Sequence, residues 1–175
     1  MNGIIQEIRD FIRENSNGDP QKFISFFSFL LFGDSGSNTL NEDIKILKSK
    51  AENGDPETQY CLGFCYENGI GVPEDKTEAA NWHRKAAEQG YAPAQGRLGR
   101  FYECGDVVPE DNAEAANWFR KATEQGDADA QYSLGLCYEE GNGVPKDKTE
   151  AANWYRKAAA QGHEEAAEFL KRLSE

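Results

Sequence analysis

The chain has 175 residues, of which 38% are hydrophobic and 11% aromatic, so it is too apolar for a disordered protein. Its 31 acidic and 19 basic residues give a net charge of −12, which argues against nucleic-acid binding because phosphates are bound by Lys and Arg. No apolar run reaches the roughly 18 residues of a transmembrane helix, and no secretory signal is recognisable, so we expect a cytoplasmic protein that does not bind membranes.

Residues 1–50 are nearly neutral, with six basic and seven acidic residues, and they are rich in Phe. We expect helices near 2–15, 20–32 and 41–52. Residues 17–20 repeat the Asn-Gly-Asp-Pro of residues 53–56 at an offset of 36, so 1–50 is interpreted as an N-terminal helical cap that contains one degenerate repeat.

A cluster of aromatic residues is the most unusual feature of this cap. Its members are Phe23, Phe26, Phe27, Phe29 and Phe32. Apolar residues lie nearly all round this predicted helix, which favours burial in the cap. The alternative is a contact surface that includes Phe26 and Phe29, so the chain is expected to be a monomer or a weak homodimer through the cap.

A 36-residue repeat follows. Four residue types recur at this interval: Tyr66, Tyr102 and Tyr138; Pro73, Pro109 and Pro145; Asp75, Asp111 and Asp147; Trp82, Trp118 and Trp154. Three units without gaps result, 51–86, 87–122 and 123–158, and the first and third share 25 of 36 residues. The sequence therefore predicts a repeat protein in which each unit packs on its neighbours.

Each unit is predicted to form two helices. In the first unit, Asp55–Pro56 is a favourable helix start, and Gly69 ends that helix. Asp75 and Glu78 predict a capping box for the second helix, which ends at Gly90. The first helix carries a buried stripe of Thr58, Leu62, Cys65 and Tyr66.

Small residues recur where helices are predicted to approach closely. They are Gly63, Gly99 and Gly135 on the first helices and Ala79, Ala115 and Ala151 on the second. Each Trp is expected to fill the space between neighbouring helix pairs. Residues 159–175 are interpreted as a C-terminal cap with one helix near 163–173, polar on its outer side.

The third unit carries the motif most clearly, in Ala130–Gln131, Leu134–Gly135, Tyr138, Gly141, Gly143–Val144, Asp147, Ala151–Ala152, Trp154–Tyr155 and Lys157–Ala158. These residues resemble the Sel1-like repeat family, relatives of the tetratricopeptide repeats, and the match covers 51–165. The resemblance implies an all-α, right-handed α-solenoid of helix-turn-helix repeats that acts as an adaptor or scaffold, without one shared enzymatic activity. The middle unit departs from the pattern at Val107, which replaces the second loop glycine.

Catalytic and metal-binding patterns are scarce. The four cysteines are Cys61, Cys65, Cys104 and Cys137, and no second helix carries one, so the disulfides within repeats that some relatives have are not expected. His83 aligns with the rings of Phe119 and Tyr155, which favours packing, and His163 is expected to be a helix cap or an exposed loop residue. No Ser is followed by Lys three residues later, as serine β-lactamases require, so we assign no catalytic residue, metal or cofactor.

Positions that vary between otherwise constant units are the candidate binding residues. On the first helices they are spaced by four and comprise Tyr60, Phe64 and Asn68, then Gly96, Arg100 and Cys104, then Tyr132, Leu136 and Glu140. In the solenoid that the resemblance implies, first helices line the concave face, so these residues would form a groove with an acidic rim of Glu67, Glu103 and Glu139. The alternative is that Tyr60 and Tyr132 pack against adjacent first helices.

The sequence thus predicts a non-enzymatic module that binds a protein or peptide, and the negative charge favours a basic partner. Two alternatives remain. One is an immunity protein or inhibitor that neutralises a basic bacterial toxin, and the other is a β-lactam-binding hydrolase like some cysteine-rich relatives.

Overall fold

The computed structural model describes residues 38–173, so Phe26, Phe29 and the predicted helices near 2–15 and 20–32 lie outside the described residues. Residues 38–173 form α-helices joined by short turns and contain no β-strand. The helices are α1 (Asn38–Glu52), α2 (Pro56–Asn68), α3 (Lys76–Glu88), α4 (Ala92–Cys104), α5 (Asn112–Thr123), α6 (Ala128–Glu140), α7 (Lys148–Ala160) and α8 (Glu164–Leu173). The predicted all-α class with two helices in each 36-residue repeat is confirmed. Helix α1 starts three residues earlier than the expected 41–52.

The predicted starts of the first helices are confirmed in two repeats. The Asp55 carboxylate accepts a hydrogen bond from the Thr58 backbone N–H at 3.0 Å, and Asp127 accepts one from Ala130 at 2.7 Å. Tyr91 stands at the equivalent place before α4, and its side chain makes no capping bond. Helix α2 ends as predicted at Gly69, whose φ of 66° lies in the left-handed region that favours glycine.

The predicted capping box of the second helices is half right. Asp75 and Asp111 accept hydrogen bonds from the backbone N–H groups of Glu78 and Glu114. The return bond from the Glu side chain is not needed, because the Asp75 N–H donates to the carbonyl of Tyr66 in the last turn of α2 at 2.8 Å. This bond satisfies one free group at each helix end and ties the two helices of a repeat together.

The described residues belong to two compact units, one ending at Trp82 and the other beginning at His83 within α3. In unit 1, α1 packs against α2. The core of this unit consists of Ile44, Leu47, Ala51, Cys61, Leu62, Cys65, Ile70, Val72 and Trp82. Burial of the Cys65 thiol raises its pKa to about 12, so this cysteine behaves as an apolar packing residue.

In unit 2, helices α4 to α8 pack in chain order, each against the next. Trp154 of α7 packs against a cluster that contains Phe119 of α5 and Leu134 of α6. It therefore links the second and third repeats, as expected for the repeated Trp. The remaining core, around Tyr155 and Ala166, joins α7 to α8.

Glycines on the first helices of unit 2 allow a close approach by aromatic rings. A Cβ atom on Gly135 would lie 2.6 Å from Cε1 of Tyr155, and one on Gly99 would lie 2.6 Å from Cε1 of Phe119. Real Cβ atoms do not come so close, so both positions require glycine. The predicted need for small residues is confirmed at these two sites.

Paired glutamines are a structural feature that the sequence analysis missed. The Gln161 side-chain amide donates to the Gln131 side-chain oxygen at 2.9 Å, and Gln125 donates to Gln95 in the same way one repeat earlier. Gln95 and Gln131 are buried, each with 5% of its surface exposed. Each pair links the two helices of one repeat, and it gives a donor to a buried side-chain oxygen that would otherwise lack one.

Candidate functional site

Unit 2 places the predicted binding residues of α4 and α6 near one another. The two helices lie side by side, since a Cβ atom on Gly96 would be 3.9 Å from the Cβ of Ala130. Their shared surface, here the α4/α6 face, consists of Arg100, Glu103, Cys104, Tyr132, Leu136 and Glu140. Arg100, Cys104 and Glu140 are exposed, and the other three are half-buried.

Tyr132 is held by packing on one side. Its ring stacks on His163 with centroids 4.6 Å apart and meets Tyr155 at 5.6 Å. Leu136 packs against the same core between α7 and α8. The interpretation that Tyr132 packs against the next first helix is thus supported, and both side chains form the floor of the α4/α6 face.

His163 caps α8. Its Nδ1 atom accepts a hydrogen bond from the Ala166 backbone N–H at 3.3 Å, and its Nε2 atom lies 3.5 Å from Oδ1 of Asp129. The residue is 7% exposed, so the predicted cap is right and the alternative of an exposed loop residue is wrong. This contact fixes the start of α8 beside Tyr132.

The predicted binding residues of unit 1 lie on α2. Tyr60, Phe64 and Asn68 are all half-buried. Phe64 packs against the core of its own unit, and the Asn68 amide donates to the Phe64 carbonyl at 2.9 Å. Both side chains therefore contribute to the local structure of α2.

The predicted acidic rim has different roles in the two repeats of unit 2. The Tyr155 hydroxyl donates a 2.7 Å hydrogen bond to Oε2 of Glu139. Burial, with this bond adding to it, raises the pKa of Tyr155. One repeat earlier Phe119 takes the place of Tyr155, so Glu103 has no hydroxyl to accept from.

The carboxyl groups on and beside the α4/α6 face are only partly compensated by nearby positive charge. Burial raises the pKa of the Glu103 carboxyl, Arg100 opposes this shift, and Glu140 adds to it. Burial also raises the pKa of Asp129, against the favourable charges of His163 and Arg100. Arg100 therefore acts on two carboxyl groups, and within the described part of the chain it forms an ion pair with neither.

The other reactive residue types are mostly packed. His83 is fully buried, and its ring lies 5.9 Å from that of Phe101, so the packing role is confirmed. Burial raises the pKa of Cys137 to about 12, whereas Cys104 is exposed. Among the side chains of residues 44–171, no three from His, Cys, Asp or Glu are grouped to hold a metal ion.

The helices and their caps define a helical repeat protein built from two-helix units. A family model, the Sel1 repeat, matches residues 56–91, 92–127 and 128–163. The chain belongs to the Sel1 repeat family. The matched repeats have the predicted length and begin at the first helices, five residues after the starts of the units at 51, 87 and 123.

Three solved structures of similar chains support this assignment. The Sel1 repeat protein from Oxalobacter formigenes is 43% identical with a TM-score of 0.69, and the match covers 74% of this chain and 98% of that one. A protective antigen of uropathogenic Escherichia coli with an SLR fold is 46% identical with a TM-score of 0.67, over 70% of this chain and 26% of that one. Cysteine rich protein B of Helicobacter pylori is 27% identical with a TM-score of 0.60, over 77% of this chain and 100% of that one.

The family assignment carries a general function. Sel1 repeat proteins generally mediate protein–protein interactions, and the family is typically a non-enzymatic scaffold. No similar chain was found among the curated proteins. Among the described helices, none is both long and apolar enough to cross a membrane.

Proposed function

We propose that this protein is a non-enzymatic interaction module whose α4/α6 face binds a protein or peptide segment of basic character. The observation that carries the proposal is the contrast within the repeats. Packing residues such as Leu98 and Leu134 are constant and fully buried, whereas Arg100 and Glu140 differ from their counterparts and are exposed. Exposed variable residues on a constant frame are typical of binding surfaces in repeat proteins.

The chemistry of the face suits a peptide. Tyr132 and Leu136 provide an apolar floor, and Arg100 and Glu140 provide charges of both signs at its edges. Tyr and Arg are among the residues that most often dominate binding energy. The net charge of −12 favours encounter with a basic partner and predicts weaker binding at higher salt.

The experiment is affinity capture from an extract of the source organism with a charge-swapped variant, Arg100→Glu/Glu140→Lys. This double change keeps the net charge constant and alters only exposed side chains. The matched control swaps exposed charges elsewhere in unit 2, in Glu124→Lys/Lys146→Glu. Helicity of all three proteins is compared first.

We expect one protein to be retained by the wild type and the control swap, and lost from the α4/α6 swap. Its retention should fall as salt rises from about 50 to 300 mM because exposed charges are screened. Equal retention by both swaps would exclude the α4/α6 face as the binding surface. Absence of any retained protein would contradict the interaction function itself.

A further inference from the structure

The equivalent ring positions of two repeats allow a controlled comparison of their acidic residues. Cβ atoms on Gly99 and Gly135 would meet Cε1, Cδ1 and Cζ of Phe119 and Tyr155 at distances that agree within about 0.1 Å. The two rings therefore occupy the same place relative to the first helix. They differ in one atom, the Tyr155 hydroxyl oxygen.

The Tyr155 hydroxyl determines which of Glu103 and Glu139 accepts a hydrogen bond within the protein. Glu139 accepts the 2.7 Å hydrogen bond from Tyr155, so its carboxylate is engaged within the protein. Glu103 lies one repeat earlier on α4, beside a ring that has no hydroxyl. Among residues 44–171, whose side chains the structure describes, Glu103 accepts no hydrogen bond from another residue. A half-buried carboxylate without a donor is unfavourable and is stabilised by a cation or hydrogen-bond donor.

The surroundings of Glu103 favour a donor that arrives from outside. Glu140 of α6 repels the negative charge of Glu103, and burial raises the pKa of the Glu103 carboxyl. Arg100, on the same helix, is exposed and also acts on Asp129, so it compensates Glu103 only in part. The exposed Arg100, Cys104 and Glu140 leave this edge of the face open to a ligand.

We infer that Glu103 receives a lysine or arginine side chain of a peptide bound on the α4/α6 face, an inference that rests on the proposed function. A Lys or Arg side chain complements Glu103 in charge and in hydrogen bonding, since the N–H groups of both cations donate hydrogen bonds to a carboxylate. Charge-assisted bonds of this kind are about twice as strong as neutral ones. Glu139 is expected to contribute little, because Tyr155 already occupies it.

The test is selection from a synthetic library of random 12-residue peptides, followed by measurement of Kd for the selected peptides. Two variants change Glu103 in different ways. Glu103→Gln removes its charge, and Phe119→Tyr keeps the charge but supplies the internal hydroxyl that Glu139 receives from Tyr155. Glu124→Gln, a loss of one exposed charge at the end of α5, is the matched control.

We expect the wild type to select peptides with Lys or Arg at one position. Glu103→Gln should raise their Kd by about tenfold, Phe119→Tyr by about threefold, and Glu124→Gln by less than about twofold, as expected for one charge-assisted bond. Thermal unfolding identifies a variant that fails to fold. If Glu103→Gln fails to fold, Phe119→Tyr decides: this variant keeps the net charge, so an unchanged Kd would overturn the inference.

Two further outcomes would overturn the inference while leaving the interaction function intact. One is selection of peptides without a preferred basic position. The other is an equal loss of affinity in Glu103→Gln and Glu124→Gln, which would mean that only net charge matters. If no peptide is selected and no protein is captured from the extract, the proposed function itself is wrong.

Discussion

The closest packing at the residue scale occurs at Gly135, under the Tyr155 ring. We expect Gly135→Ala to destabilise the protein, because the new Cβ would lie 2.6 Å from Cε1 of a fully buried ring. Overpacking costs about 1–3 kcal/mol, against about 1 kcal/mol gained from the better helix former. The net loss in the free energy of unfolding should be up to about 2 kcal/mol, measured by urea denaturation.

Gly96 provides the control for this prediction. It lies on the neighbouring first helix, where a Cβ would meet its nearest atoms at 3.9 Å, an ordinary contact. Gly96→Ala should therefore leave the free energy of unfolding unchanged or raise it by up to about 1 kcal/mol. Equal destabilisation by both substitutions would show that the ring contact is not the cause.

How well the sequence predicted single residues depended on whether their role is local. The spacing of Gly99 and Gly135 indicated a close approach, because glycine inside a helix needs a reason. The same spacing identified the Asp caps, which act on N–H groups two or three residues away. The different roles of Glu103 and Glu139 were not predicted, because they depend on a ring 16 residues further along the chain.

At the scale of the helix, contacts between the two helices of a repeat are polar as well as apolar. The Gln161 amide at the end of α7 donates to the buried Gln131 of α6 and to the Gly126 carbonyl. The constant Gln at these positions was visible in the sequence, yet nothing indicated its partner. A hydrogen bond between residues 30 positions apart follows from the stacking of helices and not from local spacing.

A double-mutant cycle at this pair measures the contribution of the bond. Gln161→Ala alone should lower the free energy of unfolding by about 1–2 kcal/mol, because it leaves the buried Gln131 oxygen without a donor. The double variant Gln131→Ala/Gln161→Ala should lose less than the sum of the single changes, by a coupling energy of about 1 kcal/mol. Strict additivity would mean that the bond adds nothing to stability.

For the whole molecule, the repeat period predicted most of the fold. It set the helix pairs, their caps and the linking Trp, because the same contacts must recur in each unit. The period predicted less about binding. Residues at exposed variable positions depend on the binding partner and not on the packing that recurs in each repeat. Structure was needed to separate Tyr132, which packs on His163, from Arg100 and Glu140, which are exposed.

Carboxyl groups in unit 2 give the molecule an unusual response to pH. Burial raises the pKa of Asp127 from 3.8 to about 6, and it also raises the pKa values of Glu103 and Asp129. The folded state therefore binds more protons than the unfolded state between about pH 4 and 6, and stability increases as pH falls through this range. The weaker repulsion within a chain of net charge −12 acts in the same direction.

We expect the free energy of unfolding to rise as pH is lowered from 7 to 5, by about 1 kcal/mol from Asp127 alone. Asp127→Asn removes the half-buried charge and keeps an oxygen that can cap α6. This variant should be more stable than the wild type at pH 7 by about 1–2 kcal/mol, and its gain on acidification should be smaller.

Asp106→Asn, a change at an exposed loop residue, is the control and should follow the wild-type profile. Urea denaturation at half-unit pH steps measures all three proteins. If the wild type loses stability between pH 7 and 5, or if Asp127→Asn shows the full wild-type slope, then the Asp127 carboxyl is not the group that links proton binding to folding.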